Sequence, residues 1–383
     1  MIKYQIWLQL ALGAANRKTT RVLDSFGNAE NVYRADRDKR IATKLFNEKE
    51  LKRLEMTPLK KAIEIMAVCR ENGIEIIPFG SNKYPYCLSV IDNPPLILYV
   101  KGKLPDFDDT PSVCIVGPRK VSEFGKKAAY SLGYRLAKSG FTVVSGGALG
   151  TDTYAHAGAL KAGGKTALIM GCGILSDYLP ENKKLRGAVT VNGCLISEYP
   201  PDFAASKYTF PVRNRIMSAL TLGTVVIEGG VRSGALITAR HAAEQGRDVF
   251  VIPGSPDKKE YKGSNALLRD GAKPLLDVSD IFNEYIVRFP DKINIESAYN
   301  EPIISGEKTE KGKTNQEIQK NLNETLSKEA KIVYNQLDKQ KFLPEEIKGT
   351  GLSSAQLLSA LTELEMEFLI RALPGGMYEK CEL

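Results

Sequence analysis

The sequence lacks any run approaching the ~20 uninterrupted apolar residues that a membrane-spanning helix needs. Its opening residues, Met1-Ile2-Lys3-Tyr4-Gln5, lack a secretory signal's order of basic region, long apolar region and small-residue cleavage site. A cytoplasmic chain is therefore expected. The six cysteines, Cys69, Cys87, Cys114, Cys172, Cys194 and Cys381, form no CxxC pair, so free core thiols are expected rather than a disulfide framework. With only two histidines, His156 and His241, a zinc site has little to draw on. There is no Walker A sequence. Gly171-Cys172-Gly173 runs into Ile174-Leu175-Ser176, so it lacks the third glycine of a dinucleotide fingerprint. Hydrolysed ATP and bound NAD are both disfavoured, and no cofactor or metal is expected.

What is present suits a multidomain globular chain. A length of 383 residues leads to two or three domains, and 43% apolar residues suffice for a substantial core. The net charge of +8 serves solubility, or a polyanionic partner if the excess is clustered.

Apolar residues recur at helical spacing within residues 1–75, as in Ile6-Trp7-Leu8-Gln9-Leu10 and Leu59-Lys60-Lys61-Ala62-Ile63-Glu64-Ile65-Met66. Two short strands follow, Ile74–Pro78 and Leu96–Val100, the second read as a possible sheet edge. From residue 112 the pattern becomes strand, turn, helix, repeated. Apolar runs begin at Val113, Thr142, Ala167, Cys194, Val225 and Val249, with amphipathic stretches between them such as Lys126–Lys138 and Ala235–Glu244. Continuous apolar strands separated by helices indicate an α/β domain with a parallel sheet covered on both faces. Residues 289–327 are polar and read as a linker. Residues 328–383 read as helices followed by a hairpin turned at Gly375-Gly376, the order of a winged-helix-like domain. The expected divisions are thus 1–75, 76–288, 289–327 and 328–383. A chain ending near residue 288 is expected to stay folded.

In an open parallel sheet, ligands bind beyond the carboxyl ends of the strands. This sequence concentrates glycine, serine and arginine there, in Gly117-Pro118-Arg119, Ser145-Gly146-Gly147, Gly171-Cys172-Gly173, Gly230-Val231-Arg232-Ser233-Gly234 and Pro253-Gly254-Ser255. Glycine turns let backbone approach a ligand, and N–H groups at helix starts favour anions. Arg119 and Arg232 add fork-shaped donors matched to phosphate. Tight βα turns alone would explain one such loop, but not five at one edge. Arg213 and Arg215, two apart on one helix, cannot share a face, so one is expected at the ligand and the other bracing the fold. Lys207 and Tyr208 nearby supply the cation and ring that single-stranded nucleic acid favours. Ser145, Asp152 and His156 permit a hydrolytic triad on paper. No GxSxG elbow supports it, and a histidine paired with its own i−4 carboxylate is the simpler expectation.

At these motifs the chain resembles the DprA/Smf family of DNA-processing proteins. The carrying residues are Val116-Gly117-Pro118-Arg119, Ser145-Gly146-Gly147-Ala148 with Asp152 and Ala155-His156, Phe210-Pro211-Val212-Arg213-Asn214-Arg215, Ser233-Gly234-Ala235-Leu236-Ile237-Thr238-Ala239 and Val251-Ile252-Pro253-Gly254. The resemblance implies an extended Rossmann-like domain, preceded by a helical domain of sterile-alpha-motif or helix-hairpin-helix type. It implies sequence-independent binding of single-stranded DNA, a homodimer, and a RecA-type recombinase as partner. It implies no enzymatic step. The binding residues expected are Gly117, Arg119, Ser145, Gly146, Gly147, Lys183, Arg213, Asn214, Arg215, Arg232, Ser233 and Gly234, with Lys184 as an alternative to Lys183. The chain departs from the family at Thr151, where isoleucine is frequent, and in the single glycine of Leu12-Gly13-Ala14-Ala15-Asn16, which weakens phosphate binding there. Two other classes compete. A LOG-type nucleotide hydrolase would show PGGxGTxxE, which Glu228-Gly229-Gly230-Val231-Arg232 does not match. A pure interaction scaffold would bind protein through its tail.

Overall fold

The computed structural model describes residues 1–299, 326–337, 341–347, 349–366, 369–373 and 377–380. The chain divides into two compact units, Met1–Ile304 and Ser305–Leu383.

The first unit opens with six helices: α1 (Ile2–Leu12), α2 (Thr19–Phe26), α3 (Ala29–Arg34), α4 (Arg37–Ala42), α5 (Glu48–Met56) and α6 (Leu59–Glu71). Several start on side-chain caps. Asn47 accepts the Glu50 N–H while Glu50 reaches back to the Asn47 N–H, a reciprocal capping box that fixes the start of α5. Ile6, Trp7 and Leu8 of α1 are fully buried, in one core with Leu168, Met170 and Leu195 of the sheet described next.

That sheet has nine strands in the order β1-β2-β6-β5-β4-β3-β7-β8-β9. The strands are β1 (Glu75–Pro78), β2 (Ile97–Gly102), β3 (Ser112–Val116), β4 (Thr142–Ser145), β5 (Thr166–Met170), β6 (Cys194–Ser197), β7 (Gly223–Val226), β8 (Asp248–Val251) and β9 (Lys273–Pro274). From β6 to β9 all pairings are parallel. The stretch read as an edge is not one: β2 lies between β1 and β6, antiparallel to both. Its residues Ile97–Val100 are all buried, because both of its backbone edges and both of its faces are covered.

Alternation along the strands sorts side chains to two faces. Val113 and Ile115 of β3 join a core with helices α8 (Glu123–Lys138), α9 (Thr151–Lys161) and α14 (Ser279–Tyr285). Cys114 and Val116 join the opposite core with α11 (Thr209–Ala219) and α12 (Gly234–Glu244). The remaining helices are α7 (Tyr86–Ser89), α10 (Lys183–Asn192) and α13 (Lys262–Arg269). Helices on both faces of a parallel-dominated sheet make the domain Rossmann-like.

The packed chain continues beyond residue 288. Phe289, Ile293 and Ala298 are buried against α8 and α14, and Asn294 N–H donates to Ser139 O (3.1 Å). The remainder of the expected linker, 300–325, lies outside the described residues. A chain ending at 288 is therefore expected to be less stable than one ending at 304 by at least ~3 kcal/mol, since burying one phenylalanine or isoleucine is worth ~1.5–3 kcal/mol. Denaturant midpoints that coincide for the two chains would refute this.

The second unit contains α15 (Lys328–Asn335), β10 (Lys341–Phe342), α16 (Ser354–Met366), β11 (Ile370–Leu373) and β12 (Met377–Lys380), with β12 central in a three-stranded antiparallel sheet. Ala330, Val333, Leu361 and Leu364 form its core. The expected glycine turn at 375–376 lies outside the described residues.

Candidate nucleic-acid interface

Strand order reverses beside β3: β4, β5 and β6 follow on one side, then β7 and β8 build the other. A crevice opens at such a reversal because the flanking loops depart toward opposite faces. Here it is a pocket of about 490 Å³. The loops after β3, β4 and β7 and the starts of α11 and α12 line it, with Met217 and Thr238 among its apolar and hydroxyl walls.

The polar side chains at this pocket include three that could meet a ligand. Arg119 and Arg232 line it, are exposed and join no ion pair among the described residues. The Arg119 guanidinium lies 5.5 Å from the Phe210 ring centre, and this cation–π contact orients it at the pocket. Asn214 also lines the pocket, with no hydrogen bond to its side-chain amide among the described residues.

Several expected contacts are placed differently. Arg213 lines the pocket but is buried; it donates to Gly146 O (2.8 Å) and to Ile169 O. Its fork is spent on the loop it supports. A Cβ on Gly146 would stand 2.4 Å from that guanidinium, so the glycine admits the arginine rather than a ligand. Arg215 is buried and bidentate to Glu198 (3.1 and 2.8 Å). Neither arginine is therefore the exposed phosphate ligand that one of the pair was expected to be; both brace the fold. Ser145 is buried, its hydroxyl donated to Ile115 O (2.7 Å), and Gly147 is buried as well. Gly117 lines the pocket, and a Cβ there would meet Thr151 Oγ1 at 2.3 Å. Ser233 caps α12 by accepting the Ala235 N–H (3.3 Å), and Gly234 is exposed beside it. Lys183 and Lys184 are exposed outside the pocket, at the start of α10. The preceding Asn182 ties them to the β4 loop by donating to Gly147 O (3.0 Å). Lys207 and Tyr208 are exposed together, the ammonium 5.2 Å from the ring centre.

Not every helix start here is open to an external anion. Asp152, buried in the first turn of α9, accepts the Ala148 N–H (3.1 Å). Burial pushes its carboxyl above the ordinary range, and the Arg213 charge opposes that rise. At α8 the fully buried Glu228 accepts the Ser122 N–H (3.2 Å) and the Ser122 hydroxyl, while Ser122 Oγ accepts the Gly125 N–H (3.0 Å). The positive ends of α8 and α9 are thus compensated internally. By contrast α12 begins at the pocket with no acidic residue in its first turn. An anion seated between Arg119 and Arg232 would meet that end of the helix.

The triad does not assemble. His156 Nδ1 lies 2.8 Å from Thr166 Oγ1, not on Asp152 as the i, i+4 spacing led us to expect. Burial holds its imidazole far below the ordinary range, to about 3, and the Arg213 charge adds to the effect. The unfolded ring, titrating near ~6.5, takes a proton that the folded one refuses. Stability is therefore full above pH ~6.5 and falls as pH drops toward about 3, by up to ~1.4 kcal/mol per pH unit. Unfolding free energies at pH 7, 6 and 5 are expected to show this slope and His156→Gln to flatten it; parallel slopes would contradict it.

Sequence reasoning missed Glu228 as a structural hub. The signal was a single acid directly after an apolar strand, where a solvent-facing loop would not bury it. Phe210 stands in the sequence only as part of a motif; the fold makes it the ring beneath Arg119.

The fold and site define a Rossmann-like protein with an arginine-rimmed pocket suited to an anionic ligand at its switch point. The chain belongs to the family described as DNA recombination-mediator protein A, whose sequence model matches residues 75–286. It is 38% identical over 224 residues to DNA processing protein DprA of Bacillus subtilis, covering 58% of this chain and 75% of that one. It is 32% identical to protein Smf of Synechocystis over 314 residues, 78% of each. Among solved structures it is similar to DNA processing protein A of Streptococcus pneumoniae, with a TM-score of 0.64 and 31% identity over 74% of this chain and 98% of that one. DNA processing protein A of Helicobacter pylori, whose structure is described by its single-stranded DNA binding mode, gives a TM-score of 0.51 and 29% identity over 56% and 96%.

Proposed function

We propose that the chain binds single-stranded DNA without sequence preference, holding backbone phosphates at the switch-point pocket, and mediates recombination rather than catalysing a bond change. The observation that carries this is the pair Arg119 and Arg232, exposed and without an ion pair among the described residues, at one pocket beside the start of α12. The Helicobacter pylori relative supports the choice of ligand. No helix among the described residues is long and apolar enough to cross a membrane; the cytoplasm is the setting proposed for this activity. A second copy of the chain and a RecA-type recombinase are the partners that the family resemblance implies. Titration of oligonucleotides at several salt concentrations tests the reading, and salt-independent binding would contradict a phosphate-based contact. Magnesium-dependent turnover of ATP or DNA, abolished by Asp152→Asn, would replace it with an enzymatic one.

The second unit, taken as a winged-helix-like module, is proposed to contact protein rather than read duplex DNA. Helix α16 carries no lysine or arginine, and a recognition helix normally presents cations to backbone and bases. The segment 326–383 is expected to show no duplex binding in low salt. Micromolar duplex affinity would overturn this assignment.

A further inference from the structure

The loop after β8 brings more to the strand ends than the glycine at its start, because the structure builds it in against Gly229 and Gly230, just ahead of Arg232. Residues 255–262 follow β8, the neighbour of β7, so the loop leaves the sheet about one inter-strand spacing, ~4.8 Å, from the chain that leads to Arg232. Its position is fixed from three sides. Gly229 N–H donates to Glu260 O (2.9 Å), and Ser264 N–H donates to Gly229 O (2.8 Å). The Asn265 side chain grips Gly254 at both its N–H (3.2 Å) and its carbonyl (2.8 Å). The Tyr261 hydroxyl donates to Oε1 of Glu228 (3.0 Å), the same buried carboxylate that receives Ser122 from the Arg119 loop.

Glu228 is 0% exposed and, among the described residues, meets only neutral donors from Ser122 and Tyr261. A buried carboxylate without a cation is costly, and satisfied hydrogen bonds are what make it tolerable. What these bonds accomplish is geometric: one side chain joins the loops after β3, β7 and β8. The loop so held presents Lys258, Lys259 and Lys262, all exposed and none in an ion pair among the described residues. Three lysines stand against two acids on the loop, Asp257 and Glu260, and Asp257 is already engaged by the Ser255 hydroxyl.

Resting on the single-stranded DNA reading above, the geometry points to the 255–262 loop as a second phosphate-binding segment continuous with the Arg119–Arg232 pocket, with Glu228 as the positioning residue that holds it there. An extended polyanion crossing the strand ends passes from the pocket over this loop. Because the loop is already pinned, its cations lose little freedom on binding.

The test is the salt dependence of binding to an oligothymidylate long enough to extend beyond the pocket. The triple variant Lys258→Gln, Lys259→Gln, Lys262→Gln is expected to bind more weakly, with the salt slope reduced in magnitude by about 2, because each phosphate neutralised on a single strand contributes ~0.7. Tyr261→Phe keeps every charge but frees the loop. It is expected to weaken binding in the otherwise native chain and to have a smaller effect when the three lysines are already gone. A purely structural tyrosine would cost the same in both backgrounds, and that result would overturn the positioning role of Glu228. If the native chain binds with its usual salt slope and the triple variant matches it, the second segment is wrong while the pocket stands. If the native chain shows no salt-dependent binding, both readings fall.

Discussion

A chain carrying Arg119→Ala and Arg232→Ala together is expected to lose ~100-fold or more of its affinity for single-stranded oligonucleotides, without losing its fold. Hydrogen bonds to charged groups are worth ~1.5–3 kcal/mol each, and each ~1.4 kcal/mol is tenfold in affinity. Both guanidiniums are exposed and join no ion pair among the described residues, so neither removal strands a buried charge there. The salt slope is expected to fall in magnitude by about 1.4, since each phosphate neutralised on a single strand contributes ~0.7. Unchanged affinity and slope would show that the strand lies elsewhere. Arg213→Ala supplies the contrast: it frees Gly146 O and Ile169 O and removes the positive charge that favours the ionised Asp152, so stability and affinity are expected to fall together.

The largest expected loss of stability comes from Arg215→Ala. It leaves Glu198, fully buried, without the guanidinium that grips both carboxylate oxygens. Breaking a buried pair by removing one partner costs ~3–5 kcal/mol, a large part of the ~5–15 kcal/mol that holds a typical domain together. The consequences reach the N-terminal helices, because Gln9 of α1 donates its side-chain amide to the Glu198 carbonyl (2.8 Å). Arg215→Lys is expected to recover part of the loss, since it restores the charge but not the fork. A shift in the urea midpoint equivalent to less than ~1 kcal/mol for Arg215→Ala would show that the pair is dispensable.

Much of this architecture is legible in the residues because it depends on local pattern. Six apolar runs became strands, and the helices between them fell where amphipathic spacing placed them. Patterning reports which segments are buried on both faces, and only a covered parallel sheet buries six short strands in this way. The place of β2 was not legible: an apolar run of five residues looks the same at an edge and in an interior, and its antiparallel pairing to β6 is a long-range event. The length of packed chain after residue 288 was missed because Phe289, Ile293 and Ala298 are spread among polar residues, with no periodic signal.

By itself the sequence determined that glycine-rich loops and arginines gather at one edge of a parallel sheet, since strand direction alone sends every βα loop there. It could not determine which arginine meets a ligand. Arg119, Arg213, Arg215 and Arg232 are chemically alike in the sequence, and only packing separates them. Two are drawn inward, one onto the Glu198 carboxylate and the other onto the carbonyls of Gly146 and Ile169. The other two are left in solvent at the pocket. The choice rests on desolvation: a guanidinium enters the interior only where acceptors repay the water it gives up, and those acceptors lie 17, 44 and 67 residues away along the chain.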